Sequence, residues 1–280
     1  MKKTIAITGA TSGIGKASAW QLAAKGHDLI LIVRNEVKGK ELINNLKSRF
    51  PTSDFSSYIA DLSDISSVRQ AAKDISQHFE SLDTLINNAG GILPKYEEVE
   101  GVERTMAINH LGHFVLTLGL LSLLKNSQDA RIVNLSSEAH RLAKPGLIFN
   151  SSLGKYAPMT AYGNAKLANI WFTMALHQKF KEDGIKSNAV HPGVVTTSFG
   201  KGFSPFWDIL LKIASPFMRS PQKGAETSVF LASDTEAIQY SGKYFKDTKS
   251  VEPSSTAKDK EWIEQFWEWS RAKTGIDSSN

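Results

Sequence analysis

The strongest constraint on how this chain can fold is an alternation. Short runs rich in β-branched and apolar residues take turns with longer helix-forming runs. Residues 3–8 (KTIAIT) read as a strand, 15–26 as a helix, 28–34 (DLILIVR) as a strand, 38–50 as a helix, 55–62 (FSSYIADL) as a strand, 64–79 as a helix and 82–90 (LDTLINNAG) as a strand. A long helical pattern near 101–125 precedes a strand at 130–137 (ARIVNLSS), a helix carrying TAYGNAKLANIWF, a strand at 185–193, a helix near 224–233 and a short strand at 243–247. Apolar strands separated by helices form βαβ units in a parallel sheet, both of whose faces must be covered. Such crossovers are right-handed, which puts helices on both sides. The expectation is an α/β fold, a doubly wound parallel sheet of about seven strands, with ligands outside the carboxyl ends of the strands.

At 280 residues and 41% hydrophobic content the chain can bury a large core. No Pro/Gly/Ser-rich linker and no repeat divides it, so one domain spanning 1–280 is expected. The absence of cysteine excludes disulfides and thiolate metal sites. The apolar run after Lys2 and Lys3 ends at Ile7 with a Thr-Gly turn, too short for a secretory signal, and no stretch approaches the roughly 18 apolar residues of a membrane span. A cytoplasmic protein with no integral membrane segment is expected. The formal charge of +5 and pI near 9.2 come from lysines and arginines interleaved with acids, as in KGKEL, KFKEDGIK and KDKEW. That is the pattern of solvated helix faces and argues against a nucleic-acid partner. A mild positive excess suits an anionic nucleotide ligand.

TGATSGIG (8–15) follows the first strand and opens a helix. Gly9 permits a tight turn, Gly13 lets the backbone approach a pyrophosphate, and Gly15 allows close contact of helix and sheet, with Thr11, Ser12 and Ile14 between them. The helix N-terminus adds free N–H groups and a partial positive charge. The spacing is GxxxGxG, and no Gly-Lys-Ser/Thr follows, so this is not a P-loop. At the end of the second strand, a dinucleotide fold meets the adenosine ribose, and a carboxylate there would select NAD. Arg34 and Asn35 occupy that place. A guanidinium matches a 2′-phosphate, so NADP(H) is expected in preference to NAD(H). The alternative is an ion pair of Arg34 with Glu36. Asp61, ending the third strand beside Leu62, is placed to accept from the adenine amino group or to cap the next helix.

In order, TGATSGIG, DL (61–62), NNAG (87–90), INHLG (108–112), IVNLSS (132–137), YGNAK (162–166) and HPGVVTT (191–197) cover nearly the whole chain. With these the sequence resembles the short-chain dehydrogenase/reductase family, whose Rossmann fold agrees with the alternation above. RIVNLSSEAH, AYGNAKLANIWFT and the 25-residue step from Ser137 to Tyr162 resemble its retinol-dehydrogenase-like branch. The resemblance implies a catalytic tetrad of Asn109, Ser137, Tyr162 and Lys166. Tyr162 would exchange a proton with the substrate oxygen. Lys166, one helical turn on and on the same face, would favour the phenolate and donate to the nicotinamide ribose. Ser137 would bind the substrate oxygen; the choice over Ser136 rests on the family motif. Asn109 would hold a water near the lysine. The resemblance also places Asn88, Ala89 and Gly90 beside the adenosine ribose, Pro192, Gly193 and Val195 at the carboxamide, and Thr197 near the phosphates. No metal is needed, since the cofactor carries the hydride, and His110 and His113 are expected to pack or line a pocket.

A segment rich in Phe, Trp, Leu and Ile at about 198–220 is expected to form a substrate lid, which makes the substrate a small hydrophobic carbonyl or alcohol; its alternative is an amphipathic surface helix that touches a membrane or a second subunit. Residues 141–160 are expected to line or cover the substrate entrance. Trp262, Phe266 and Trp269 share a helical face that either meets the core or forms a homodimer contact. Two rivals to a carbonyl–alcohol oxidoreductase are a nucleotide-sugar epimerase, which usually has a GxxGxxG turn and a longer C-terminal domain, and a non-catalytic NADP-binding scaffold.

Overall fold

The computed structural model of the protein describes residues 1–149, 155–195 and 218–276. Its first two strands are apolar on both faces because both are covered. From β1 (Thr4–Thr8) and β2 (Asp28–Val33), Ile5, Ile7, Leu29, Leu31 and Val33 enter one core, and Ala6, Ile30 and Ile32 enter a second on the opposite face. The first core lies under α1 (Gly13–Ala24), α2 (Glu36–Arg49) and α9 (Pro221–Ser233). The second lies under α3 (Ile65–His78), α5 (Gly112–Gly119), α8 (Pro158–Phe180) and α10 (Lys260–Thr274).

The remaining strands are β3 (Phe55–Ile59), β4 (Thr84–Asn87), the hairpin β5 (Glu98–Val99) and β6 (Val102–Glu103), β7 (Arg131–Leu135), β8 (Lys186–His191), β9 (Lys243–Lys246) and β10 (Lys249–Val251). Among the described residues the main sheet has eight strands in the order β3-β2-β1-β4-β7-β8-β9-β10. The chain winds outward from β1 to β3 and then returns to the other side of β1, so the order reverses between β1 and β4. A crevice opens at such a point, outside the carboxyl ends of both strands.

Seven of the eight strands run parallel, matching the expected number, and β10 adds an antiparallel edge. The β9–β10 turn holds Asp247 and Thr248 at φ 53° and 59°. A two-residue type I′ hairpin needs positive φ at both central positions, and threonine gives no sequence signal for it. The expected helix over 101–125 is divided. Residues 102–103 pair in the hairpin, and Glu103 accepts hydrogen bonds from Thr105 N (2.8 Å) and Met106 N (3.1 Å) to start α4 (Arg104–Met106). A π-turn at Ala107–Leu111 follows, then α5, and after a break at Leu120 comes α6 (Leu121–Lys125).

Helix α10 begins at the Asp259 cap and ends at Gly275 in the left-handed region (φ 60°). Its buried face is Ile263, Phe266, Trp267 and Ser270, flanked by half-buried Trp262 and Trp269. The expected aromatic stripe therefore meets the chain's own core, stacking beside Trp171 on α8. No helix among the described residues is long and apolar enough to cross a membrane.

Candidate active site

The crevice is a groove of about 640 Å³ along the carboxyl ends of the strands. At its centre Gly9 turns at φ 68°, with its N–H bonded to Ile32 O (3.0 Å). A Cβ at Gly15 would come within 2.4 Å of both Gly9 O and Asn88 Nδ2, so only glycine lets α1 start this close to the sheet. Asn88 ties the two central strands together: its N–H donates to Thr8 Oγ1 (2.9 Å) and its Nδ2 to Thr8 O (2.7 Å). Ser12 stands at the head of α1 in extended conformation without a side-chain cap bond, so the first N–H groups of α1 face the groove, lined there by Thr11, Ser12, Gly13, Ile14 and Gly15. This cradle fits a pyrophosphate.

Toward the adenosine end the groove is lined by Arg34, Asn35, Lys38, Asp61, Leu62, Asn88, Ala89 and Gly90. Glu36 pairs with Lys40 (2.6 Å) rather than with Arg34. The Asn35 side chain accepts from Lys38 N (3.0 Å) and caps α2. Lys38 was missed in the sequence, though a second cation one turn beyond Arg34 was its signal. Asp61 accepts from Ser63 N (2.9 Å) and Ser63 Oγ (2.7 Å), while Asp64 caps α3. Burial pushes the Asp61 carboxyl up, but the Ser63 hydrogen bonds and the charges of Arg34 and Arg104 hold it below the usual range.

At the other end, Tyr162 and Lys166 project from α8 into the groove. Lys166 Nζ lies 5.3 Å from the centre of the Tyr162 ring and donates to Leu135 O (3.1 Å). Lys166 is 4% exposed, and burial pushes its ammonium down to about 7. Burial drives Tyr162 up from its ordinary value, offset in part by a hydrogen bond with the Ser137 hydroxyl. Among the protein's own groups, burial outweighs the other influences on the Tyr162 phenol. The two serines separate as alternation requires. Ser136 is buried with Oγ donating to Lys166 O (2.7 Å), while Ser137 meets Tyr162.

Asn109 sits in the π-turn, fully buried, donating through Nδ2 to Gly91 O and Thr105 O (2.7 Å each) and accepting from Gly91 N (3.3 Å). A Cβ at Gly90 would come within 2.3 Å of Asn109 Oδ1 and 3.4 Å of Lys166 Nζ, so this loop, the amide and the lysine pack together. The extra residue of a π-turn re-aims side chains and recurs at functional sites. Pro192 lines the groove, whereas Gly193 (φ 88°) packs under the Arg219 side chain and Val195 pairs with Arg219 in a single β-bridge. Thr197 lies outside the described residues, as does most of the expected lid, 198–217. None of the described residues of 141–160 lines the groove. Several of them, with Trp269 and Lys273, line a separate cavity of about 110 Å³ on the other face of α8.

His110 and His113 pack as expected. His110 Nε2 meets Ser270 Oγ (2.9 Å), and His113 bridges Thr8 Oγ1 (2.9 Å) and Asn109 O (3.0 Å). Burial pushes them down to about 3 and about 4, which keeps both neutral. Among the described residues no cluster of three or more His, Asp or Glu could hold a metal ion.

A doubly wound sheet, a glycine turn beneath a helix N-terminus and a Tyr-x-x-x-Lys pair lining one groove define a nicotinamide dinucleotide-binding oxidoreductase fold. The chain belongs to the short-chain dehydrogenase/reductase family, matching the short chain dehydrogenase family model over residues 3–205. It is similar to mouse retinol dehydrogenase 12 (38% identity over 277 residues, 98% of this chain and 87% of that protein) and to human retinol dehydrogenase 13 (35% over 283 residues, 99% and 86%). Among solved structures, an uncharacterised protein from Mycobacterium paratuberculosis superposes with a TM-score of 0.75 at 28% identity over 98% of this chain and 94% of that one. The L-sorbose reductase of Gluconobacter frateurii, complexed with NADPH and L-sorbose, shares the fold (TM-score 0.69, 22% identity, 87% and 94%).

Proposed function

We propose that the protein is an NADP(H)-dependent oxidoreductase that interconverts a carbonyl and an alcohol on a small hydrophobic molecule, in the direction of reduction. The observation carrying this is the Tyr162 phenol in the groove, hydrogen-bonded to the Ser137 hydroxyl and one helical turn from Lys166. The phenol gives its proton to the substrate oxygen in reduction and takes it back in oxidation. The cofactor supplies the hydride. Ser137 Oγ holds the substrate oxygen, Tyr162 Oη donates the proton, and Lys166 Nζ, titrating near neutrality, replaces it. Arg34 and Lys38 bind the 2′-phosphate, with no carboxylate at the second strand's end to repel it. The names of the retinol dehydrogenase relatives favour a retinoid-type aldehyde or alcohol.

The test is an oxidation assay of NADPH and NADH over a panel of aldehydes and ketones that includes retinal. Higher kcat/KM with NADPH, and loss of turnover in Tyr162→Phe with NADPH binding retained, are expected. A preference for NADH overturns the cofactor assignment, and an active Tyr162→Phe overturns the proton donor.

A further inference from the structure

Glu138 directly follows Ser137, where β7 gives way to a 3-10 segment, Glu138–Leu142. Its partners come from β8, β9 and its own turn. Its N–H donates to His191 Nδ1 at the end of β8 (3.3 Å), Tyr244 Oη on β9 donates to Glu138 Oε1 (2.9 Å), and Arg141 Nε donates to Oε2 (3.0 Å). Tyr244 is only 1% exposed, so its hydroxyl depends on that carboxylate. Burial pushes the Glu138 carboxyl up, but the Arg141 and Tyr244 hydrogen bonds hold it below the usual carboxylate range and so ionised.

The same turn is anchored from its other side. His140 Nε2 accepts from Ser254 N (3.1 Å), which leaves Nδ1 as the protonated nitrogen donating to Ser137 O (2.7 Å). The His140 ring packs edge-on against Tyr244 at 5.2 Å. The Ser137 peptide is thus fixed at its carbonyl by His140 and at the following residue by Glu138. Its hydroxyl, which otherwise has three staggered positions to choose from, also accepts from Ala139 N (3.2 Å) inside this turn.

We propose that Glu138 and Tyr244 are a positioning pair that aims the Ser137 hydroxyl at Tyr162 and at the substrate oxygen. The proposal rests on the role given to Ser137 under Proposed function. Neither residue needs to touch the substrate. They act by holding a hydroxyl within the small tolerance that a reacting geometry allows, where an error near 1 Å can cost about 100-fold.

The experiment uses a carbonyl compound that the wild type reduces with NADPH. Glu138→Ala and Tyr244→Phe should each lower kcat by about 10-fold or more while KM and the NADPH dissociation constant change by no more than about 3-fold. Glu138→Gln, which still offers Tyr244 an acceptor, should recover most of the lost kcat. In a Ser137→Ala background Glu138→Ala should cause no further loss, because it acts through that hydroxyl. Urea unfolding of the Glu138→Ala, Tyr244→Phe and double variants should be non-additive. Wild-type kcat in Glu138→Ala, an undiminished further loss in the Ser137→Ala background, or additive unfolding energies would each overturn the proposal while leaving the oxidoreductase reading standing. A wild type that reduces no carbonyl removes that reading, and this proposal with it.

Discussion

Replacing Lys166 by methionine should make the protein more stable while removing its activity. The lysine titrates at 10.5 when solvated and at about 7 where it is buried, 4% exposed, under the Tyr162 ring. Its folded-state pKa is lowered, so between pH 7 and 10.5 the unfolded chain holds a proton that the folded one gives up. Stability from this group therefore rises with pH across that window and is poorest below it. By linkage the site costs about 4 kcal/mol near pH 7.5 and about 1 kcal/mol near pH 9.5. Methionine has a similar shape and no charge. Leu135 O, which loses the lysine hydrogen bond, keeps the one from Asn169 Nδ2 (2.9 Å), so no buried carbonyl is orphaned. Allowing for the lost hydrogen bond, Lys166→Met should gain about 2–3 kcal/mol at pH 7.5, shrinking to below about 1 kcal/mol at pH 9.5. Urea unfolding followed by tryptophan fluorescence at the two pH values measures this, and other titrating groups cancel in the difference between variant and wild type. A variant that is less stable at pH 7.5, or a difference that does not shrink with pH, would refute the account of Lys166 as a buried lysine whose pKa burial pushes down.

Gly15→Ala should raise the NADPH dissociation constant at least 10-fold and destabilise the fold by about 1–3 kcal/mol, because its Cβ would meet Gly9 O at 2.4 Å; fluorescence titration and urea unfolding report the two effects. Arg34→Ala should weaken NADPH about 10-fold or more and leave NADH nearly unchanged, and the double substitution with Lys38→Ala should go further, as read by titration of each cofactor. Trp267→Ala, at a 3% exposed position between α10 and the aromatic cluster of Phe114 and Phe172, should cost about 3–5 kcal/mol in urea unfolding while the protein stays a folded cofactor binder.

Much of this protein is legible one segment at a time. The alternation of apolar runs, the glycine turn after β1 and the four-residue step from Tyr162 to Lys166 are local periods, and each maps onto a geometry the backbone enforces within a few residues. Hence seven parallel strands and most of the groove's lining could be anticipated. The choice of Ser137 over Ser136 came only from family resemblance, and it took β7 beside α8 to show which hydroxyl meets Tyr162. The β9–β10 hairpin escaped because its turn residues are Asp247 and Thr248, neither a glycine. The π-turn at Asn109 escaped because an inserted residue leaves a helical pattern nearly intact.

The lowered pKa of Lys166 and the raised pKa of Tyr162 belong to the tertiary structure alone. Sequence spacing put an ammonium near a phenol and implied attraction, but the sign of the result depends on how much water the surrounding strands and helices exclude. Desolvation is a sum over neighbours distant in the chain, as is the Glu138–Tyr244 contact across 106 positions. A linear pattern specifies which groups are available; only packing sets the dielectric in which they act.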